Sequence, residues 1–129
     1  MSNKKKVRFK DAIKSDKPIL VDFYATWCGP CQQLSPIVNS VKKELTGQMR
    51  VIKVDVDKNR SASNKFKVKS LPTLAIFQNG QIIWRESGMK SKAELLKVAR
   101  RFIQGDASSE GNMTEASKVK TSWFSKLFG

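Results

Sequence analysis

Val21-Asp22-Phe23-Tyr24-Ala25-Thr26-Trp27-Cys28-Gly29-Pro30-Cys31 is the stretch on which the reading of the fold turns. With Ile19 and Leu20 before it, it begins as a near-continuous apolar run, the pattern of a strand covered on both faces. It ends in two cysteines at i and i+3, followed by a pattern suited to a long helix from about Gly29 to about Leu45. A strand running into a helix at a Cys-x-x-Cys pair brings the two sulfurs within bonding reach, one turn apart. Cys28 then sits at the helix N-terminus, where unpaired N–H groups and the positive end of the helix dipole favour a thiolate. That lowers the thiol pKa below its free value of about 8.5 and makes Cys28 the nucleophile, with Cys31, deeper in the helix, as the second thiol.

The rest of the composition narrows the chemistry. The 129-residue chain has no histidine and no cysteine beyond this pair. The commonest general base and the commonest metal ligand are therefore absent, and a closed zinc site would need carboxylates or a second chain. A bridge across so small a loop adds little stability, so the pair reads as reactive rather than structural. With no histidine, the acid/base candidate is Asp22, whose carboxyl group in an apolar strand should hold its proton to higher pH. Lys53, on the neighbouring strand, would offset part of that burial cost. The structural alternatives are an unusual core carboxylate at Asp22, a solvated lysine at 53, and Trp27 as simple core packing.

Working outward, residues 7–15 read as a short amphipathic helix ended by Asp16-Lys17-Pro18, and residues 19–25 as the first strand. Pro36 lies inside the long helix and Gly47 ends it. Residues 50–56 give a second strand and 58–66 a short helix. Strands at 73–78 and 81–85 are joined by Asn79-Gly80, a strong hairpin signal. After Gly88, Ser91 and Glu94 form a capping-box pattern that opens a last helix running to about Ile103. Residues 1–104 form one domain of α/β class, a mixed sheet with helices on both faces. Its first two strands are parallel across a right-handed crossover. Residues 105–121 read as a flexible linker. Residues 122–129 read as a short amphipathic aromatic tail, with Trp123/Leu127 and Phe124/Phe128 at i, i+4. Such a tail is either a bare end or needs a surface, a protein ahead of a membrane.

The segment Val21 to Cys31 resembles the active-site segment of the thioredoxin family. Leu71-Pro72-Thr73, the Asn79-Gly80 hairpin and Gly88 match later family landmarks in order and approximate spacing, so the resemblance covers about residues 8–103. It implies a thioredoxin fold and reduction of protein disulfides by dithiol exchange. Cys28 is then the nucleophile, Cys31 the resolving thiol and Asp22 the buried acid/base. It implies that Pro72 is a cis-proline facing the disulfide. Trp27, Gly29, Pro30, Leu71, Ser87 and Gly88 would form the groove that grips an extended partner peptide. The redox-active Cys28–Cys31 disulfide would replace any bound cofactor, and a flavin- and NADPH-dependent reductase would return the electrons. The sequence departs from the family pattern in four ways. Only residues 1–6 precede the first helix, so four strands are expected, with five as the alternative. Tyr24 stands where many members have tryptophan. The tail after Gly105 has no counterpart. The net charge is +14, from 25 Lys and Arg against 11 Asp and Glu.

That charge favours acidic partners, with clusters at Lys65, Lys67 and Lys69 and at Lys90 and Lys92 flanking the implied groove. A solvated, solubility-giving surface is the bland alternative. No nucleic-acid motif supports binding to DNA or RNA. No secretory signal or spanning segment is visible, which leads to a cytoplasmic expectation. The rival function is a binding module that uses the fold to dock a partner protein, with redox chemistry incidental.

Overall fold

The computed structural model describes residues 8–104; the linker and tail assigned to 105–129 lie outside the described residues, as does Val7 of the first helix. Eight elements follow one another: α1 (Phe9–Ala12), β1 (Ile19–Tyr24), α2 (Gly29–Glu44), β2 (Arg50–Asp55), α3 (Arg60–Lys65), β3 (Thr73–Gln78), β4 (Gln81–Ser87) and α4 (Lys92–Ile103). Among the described residues the sheet has four strands in the order β2-β1-β3-β4. β1 pairs parallel with β2 and antiparallel with β3, and β3 pairs antiparallel with β4. The described chain divides after Leu95, and the sheet with α1, α2 and α3 belongs to the first part.

Alternation along β1 sorts the core into two faces. Ile19, Val21 and Phe23 join Val54 of β2 and Ala75 and Phe77 of β3 on one face, with Ile13 and Phe9 packed against them. The rings of Phe9, Phe23, Phe66 and Phe77 meet edge to face at centroid distances of 4.9 to 6.2 Å. Each such pair adds about 0.5–1.5 kcal/mol beyond its area burial. These contacts fix α1 and the end of α3 on that face. The opposite face carries Leu20, Asp22, Leu74 and Ile76, all buried. α2 contacts the sheet at β2 and buries Leu34, Val38 and Val41 along one stripe.

The first helix is shorter than the pattern over 7–15 suggests. Arg8 is extended and Ile13 ends α1 with its amide on Phe9 O. The segment after it is held by the hairpin instead: Asn79 N donates to Ser15 O at 2.8 Å and Gly80 N to Ile13 O at 2.7 Å. Asn79 and Gly80 both have positive φ, 56° and 79°, as a two-residue hairpin turn requires. β4 continues two residues beyond the expected end, to Ser87, after an irregularity opposite Ile76/Phe77. The α4 capping box forms as the sequence implies: Glu94 N donates to Ser91 Oγ and Ser91 N to Glu94 Oε1. Along α4, Leu95, Ala99 and Phe102 are buried at helical spacing.

Candidate active site

β1 ends at Tyr24, and the chain turns through Ala25-Thr26-Trp27 so that Cys28 N donates to Ala25 O. Cys28 is the N-cap of α2, and its Sγ accepts a hydrogen bond from Cys31 N at 3.2 Å. Pro30, in the first turn, has no N–H to leave unsatisfied and fits there without cost. Cys28 and Cys31 are joined as a disulfide, with their Cα atoms 5.3 Å apart, and both are buried. The sulfur that would carry negative charge after reduction is thus the one already accepting a helix N-terminal N–H. The fold supplies that donor before any chemistry occurs.

Asp22 is 1 % exposed, and its Oδ1 has no hydrogen-bond partner. Burial pushes its pKa from 3.8 up to about 6, and the charge of Lys53 draws it partly back. The two face each other in register across β1 and β2. Lys53 does not ion-pair with Asp22. Its Nζ donates to Ser35 Oγ on α2 and lies over the Tyr24 ring, 5.4 Å from the centroid. The ammonium therefore stays at the exposed rim and acts on Asp22 through its field. Ser35 and Tyr24 hold it there, and the sequence carried no signal for Ser35.

Beside the disulfide lies a groove of about 510 Å³, lined by Trp27, Cys28, Gly29, Pro30 and Leu71 together with Val56, Val68 and Lys69. Trp27 is 70 % exposed, so it is not core packing. Its Nε1 donates to Asp57 Oδ2 at 2.7 Å, and Asp57 is itself held through its amide on Asp55 Oδ1. An acidic residue just after an apolar strand was the only hint of Asp57 in the sequence. The Leu71–Pro72 peptide bond is cis. Pro72 is buried, and its carbonyl accepts from Gly88 N at 2.9 Å. Ser87 Oγ meets Ser70 Oγ and Thr73 Oγ1 at 3.1 Å each. Pro72, Ser87 and Gly88 are thus brought together next to Leu71, but they do not line the groove at Cys28, where Val56, Val68 and Lys69 stand instead. Arg85, also unforeseen, donates to the carbonyls of Phe66 and Lys67 and so ties the loop that leads to Leu71 onto β4.

A disulfide at the N-cap of a helix with a groove beside it is the arrangement of a thiol–disulfide oxidoreductase, whose redox carrier is its own cysteine pair. The thioredoxin family profile matches residues 1–101, and the chain belongs to the thioredoxin family. It is 40% identical over 94 residues to a thioredoxin of Rickettsia conorii, covering 73% of this chain and 90% of that one. It is 46% identical over 89 residues to a bifunctional thioredoxin reductase/thioredoxin of Mycobacterium leprae, of which it spans 19%. The solved structure of chloroplastic thioredoxin z matches with a TM-score of 0.61 at 33% identity, over 70% of this chain and 80% of the other. Among the described residues no group of three or more potential metal ligands occurs, and no helix is long and apolar enough to cross a membrane.

Proposed function

We propose that the chain reduces protein disulfides by dithiol exchange. In the reduced form, the Cys28 thiolate attacks one sulfur of a partner disulfide. The partner's S–S bond breaks, its other sulfur leaves as a thiolate and takes a proton, and a mixed disulfide joins Cys28 to the partner. Asp22, as carboxylate, accepts the proton of the Cys31 thiol. Cys31 then attacks Cys28, releases the second partner thiol and leaves the Cys28–Cys31 disulfide. Two electrons have passed to the partner. Asp22 suits this role because a group with a pKa of about 6 can both take and return a proton near neutral pH. Lys53 stabilises the carboxylate when the proton is away.

The carrying observation is the disulfide at the N-cap of α2, on a Sγ that already accepts a helix amide. The groove, with Trp27, Gly29, Pro30 and Leu71 in its lining, suits a strand-like grip on the partner, and Pro72 and the Ser87-Gly88 turn adjoin Leu71 outside that lining. A flavin- and NADPH-dependent reductase would restore the dithiol; a relative that joins the two activities in its name supports this. The setting that fits a reductant is the cytoplasm. A Cys31→Ser variant tests the reading: it should accumulate Cys28-linked mixed disulfides on exposure to disulfide-bearing proteins, and their absence would defeat it.

A further inference from the structure

On the face of the sheet that carries α1 and α3, a second groove of about 710 Å³ opens between those helices. Six cationic side chains line it: Arg8, Lys10, Lys14, Lys58, Arg60 and Lys65. None of them forms an ion pair among the described residues, unlike Lys90 with Glu86 and Lys92 with Glu44. Asp57, the carboxylate that also lines the groove, is committed to the Trp27 indole. All six line one groove, so their fields add there and an anion entering it meets a positive potential.

We infer that this groove seats an acidic, partly apolar peptide segment of the same partner protein whose disulfide is presented at Cys28. The inference rests on the reductase reading above. The apolar floor, Phe9, Ile13 and Phe66, suits a segment in which a hydrophobic side chain sits among carboxylates, more than a bare inorganic anion. It does not suit nucleic acid. Phe9 and Phe66 are turned into edge-to-face contacts with the core, and among the described residues the large hydrophobic side chains that stand exposed, Trp27, Ile83 and Met89, lie outside this groove. Stacked bases need open aromatic faces. The two grooves adjoin through one hydrogen bond, since Asp57 lines this one and holds Trp27, which lines the groove at Cys28. A partner engaging both gains from the high effective concentration of its second contact.

Two measurements decide it. The full chain is titrated with a cysteine-free peptide of alternating Glu, Asp, Phe and Leu, and with its Gln/Asn counterpart, while backbone amide shifts are followed. The acidic peptide should move amides of residues 8–14 and 58–66. Lys10→Glu with Lys14→Glu and Arg60→Glu should weaken its binding by at least about tenfold. Lys17→Glu with Lys42→Glu and Lys43→Glu, which changes net charge equally, should weaken it by less than about threefold. The Gln versions of the first triple serve if charge reversal impairs folding. Second, fusing the acidic peptide to a disulfide-bearing peptide should lower its KM about tenfold, and the groove triple should abolish that gain. Shifts centred on Cys28 or spread over the surface, equal weakening by both triples, or displacement of the peptide from residues 8–14 and 58–66 by an oligonucleotide of equal charge at lower concentration would each overturn the inference. Failure to reduce the unfused peptide would instead defeat the reductase reading, with the titration still deciding the groove.

Discussion

Asp22 shows how much a single buried carboxyl group can cost a fold. Its Oδ1 is buried without a partner, and its pKa stands at about 6 rather than 3.8. Below about pH 3.8 both folded and unfolded chains hold the proton, and the burial carries no ionisation penalty. As pH rises the unfolded chain ionises first, and once the folded carboxyl ionises above about 6 the full penalty, about 3 kcal/mol, is in force. Asp22→Asn should therefore stabilise the protein by about that amount at pH 8 and by little at pH 3.5, as read from urea unfolding at the two values. The same variant should slow release of the mixed disulfide. The burial of Asp22 was legible because the residue lies inside an apolar strand, with an unusual core carboxylate as the alternative to an acid/base role. The way Lys53 is held was not, because its Ser35 partner comes from a helix whose facing on the sheet no local pattern specifies.

At the level of elements, the hairpin is the part most tightly tied to its sequence. Asn79 and Gly80 both occupy left-handed backbone, which is free for glycine and strained for most other residues. Gly80→Ala should cost about 1–2 kcal/mol in denaturant unfolding with little change in exchange chemistry at Cys28, since Gly80 lies outside the groove there. The strands and the long helix were readable from apolar runs and from the cysteine, proline and glycine punctuation. The short helices were less so. α1 keeps only Phe9–Ala12 of the stretch 7–15, and α3 only Arg60–Lys65 of 58–66. At α1 the Phe9 ring in the aromatic core and the bonds from Asn79 and Gly80 set the end, while before α3 the amides of Lys58 and Asn59 close turns onto Asp55 and Val56 and after it Phe66 turns into the aromatic core. The loop before Pro72 is positioned by Arg85, whose reach to Phe66 and Lys67 crosses the chain and is invisible in a linear reading.

For the whole molecule, the charge of +14 should steer encounter with acidic partners. Reduction of an acidic disulfide substrate should slow as ionic strength rises from about 0.01 to 0.15 M, while a neutral substrate of the same sequence length should respond little. Equal salt responses would show that the charge serves solubility alone. The excess was plain from composition, and of the clusters expected to flank the groove at Cys28 only Lys69 lines it; the cations of α1 and of the stretch around α3 are distant in sequence and converge only when both helices settle on one face. The way α1 is fastened has a consequence for local opening. A helix of four residues has no independent stability. It is held by the Phe9 ring and by the bonds that Asn79 and Gly80 send to residues 15 and 13. Residues 8–16 should then peel away as one cooperative unit, exposing the amides of Asn79 and Gly80 in the same event. In native-state hydrogen exchange these two amides should share one opening free energy with Ile13, below that of the central strands. Because peeling would dismantle the cationic groove, an occupant there should protect the amide of Asn79, which does not line it.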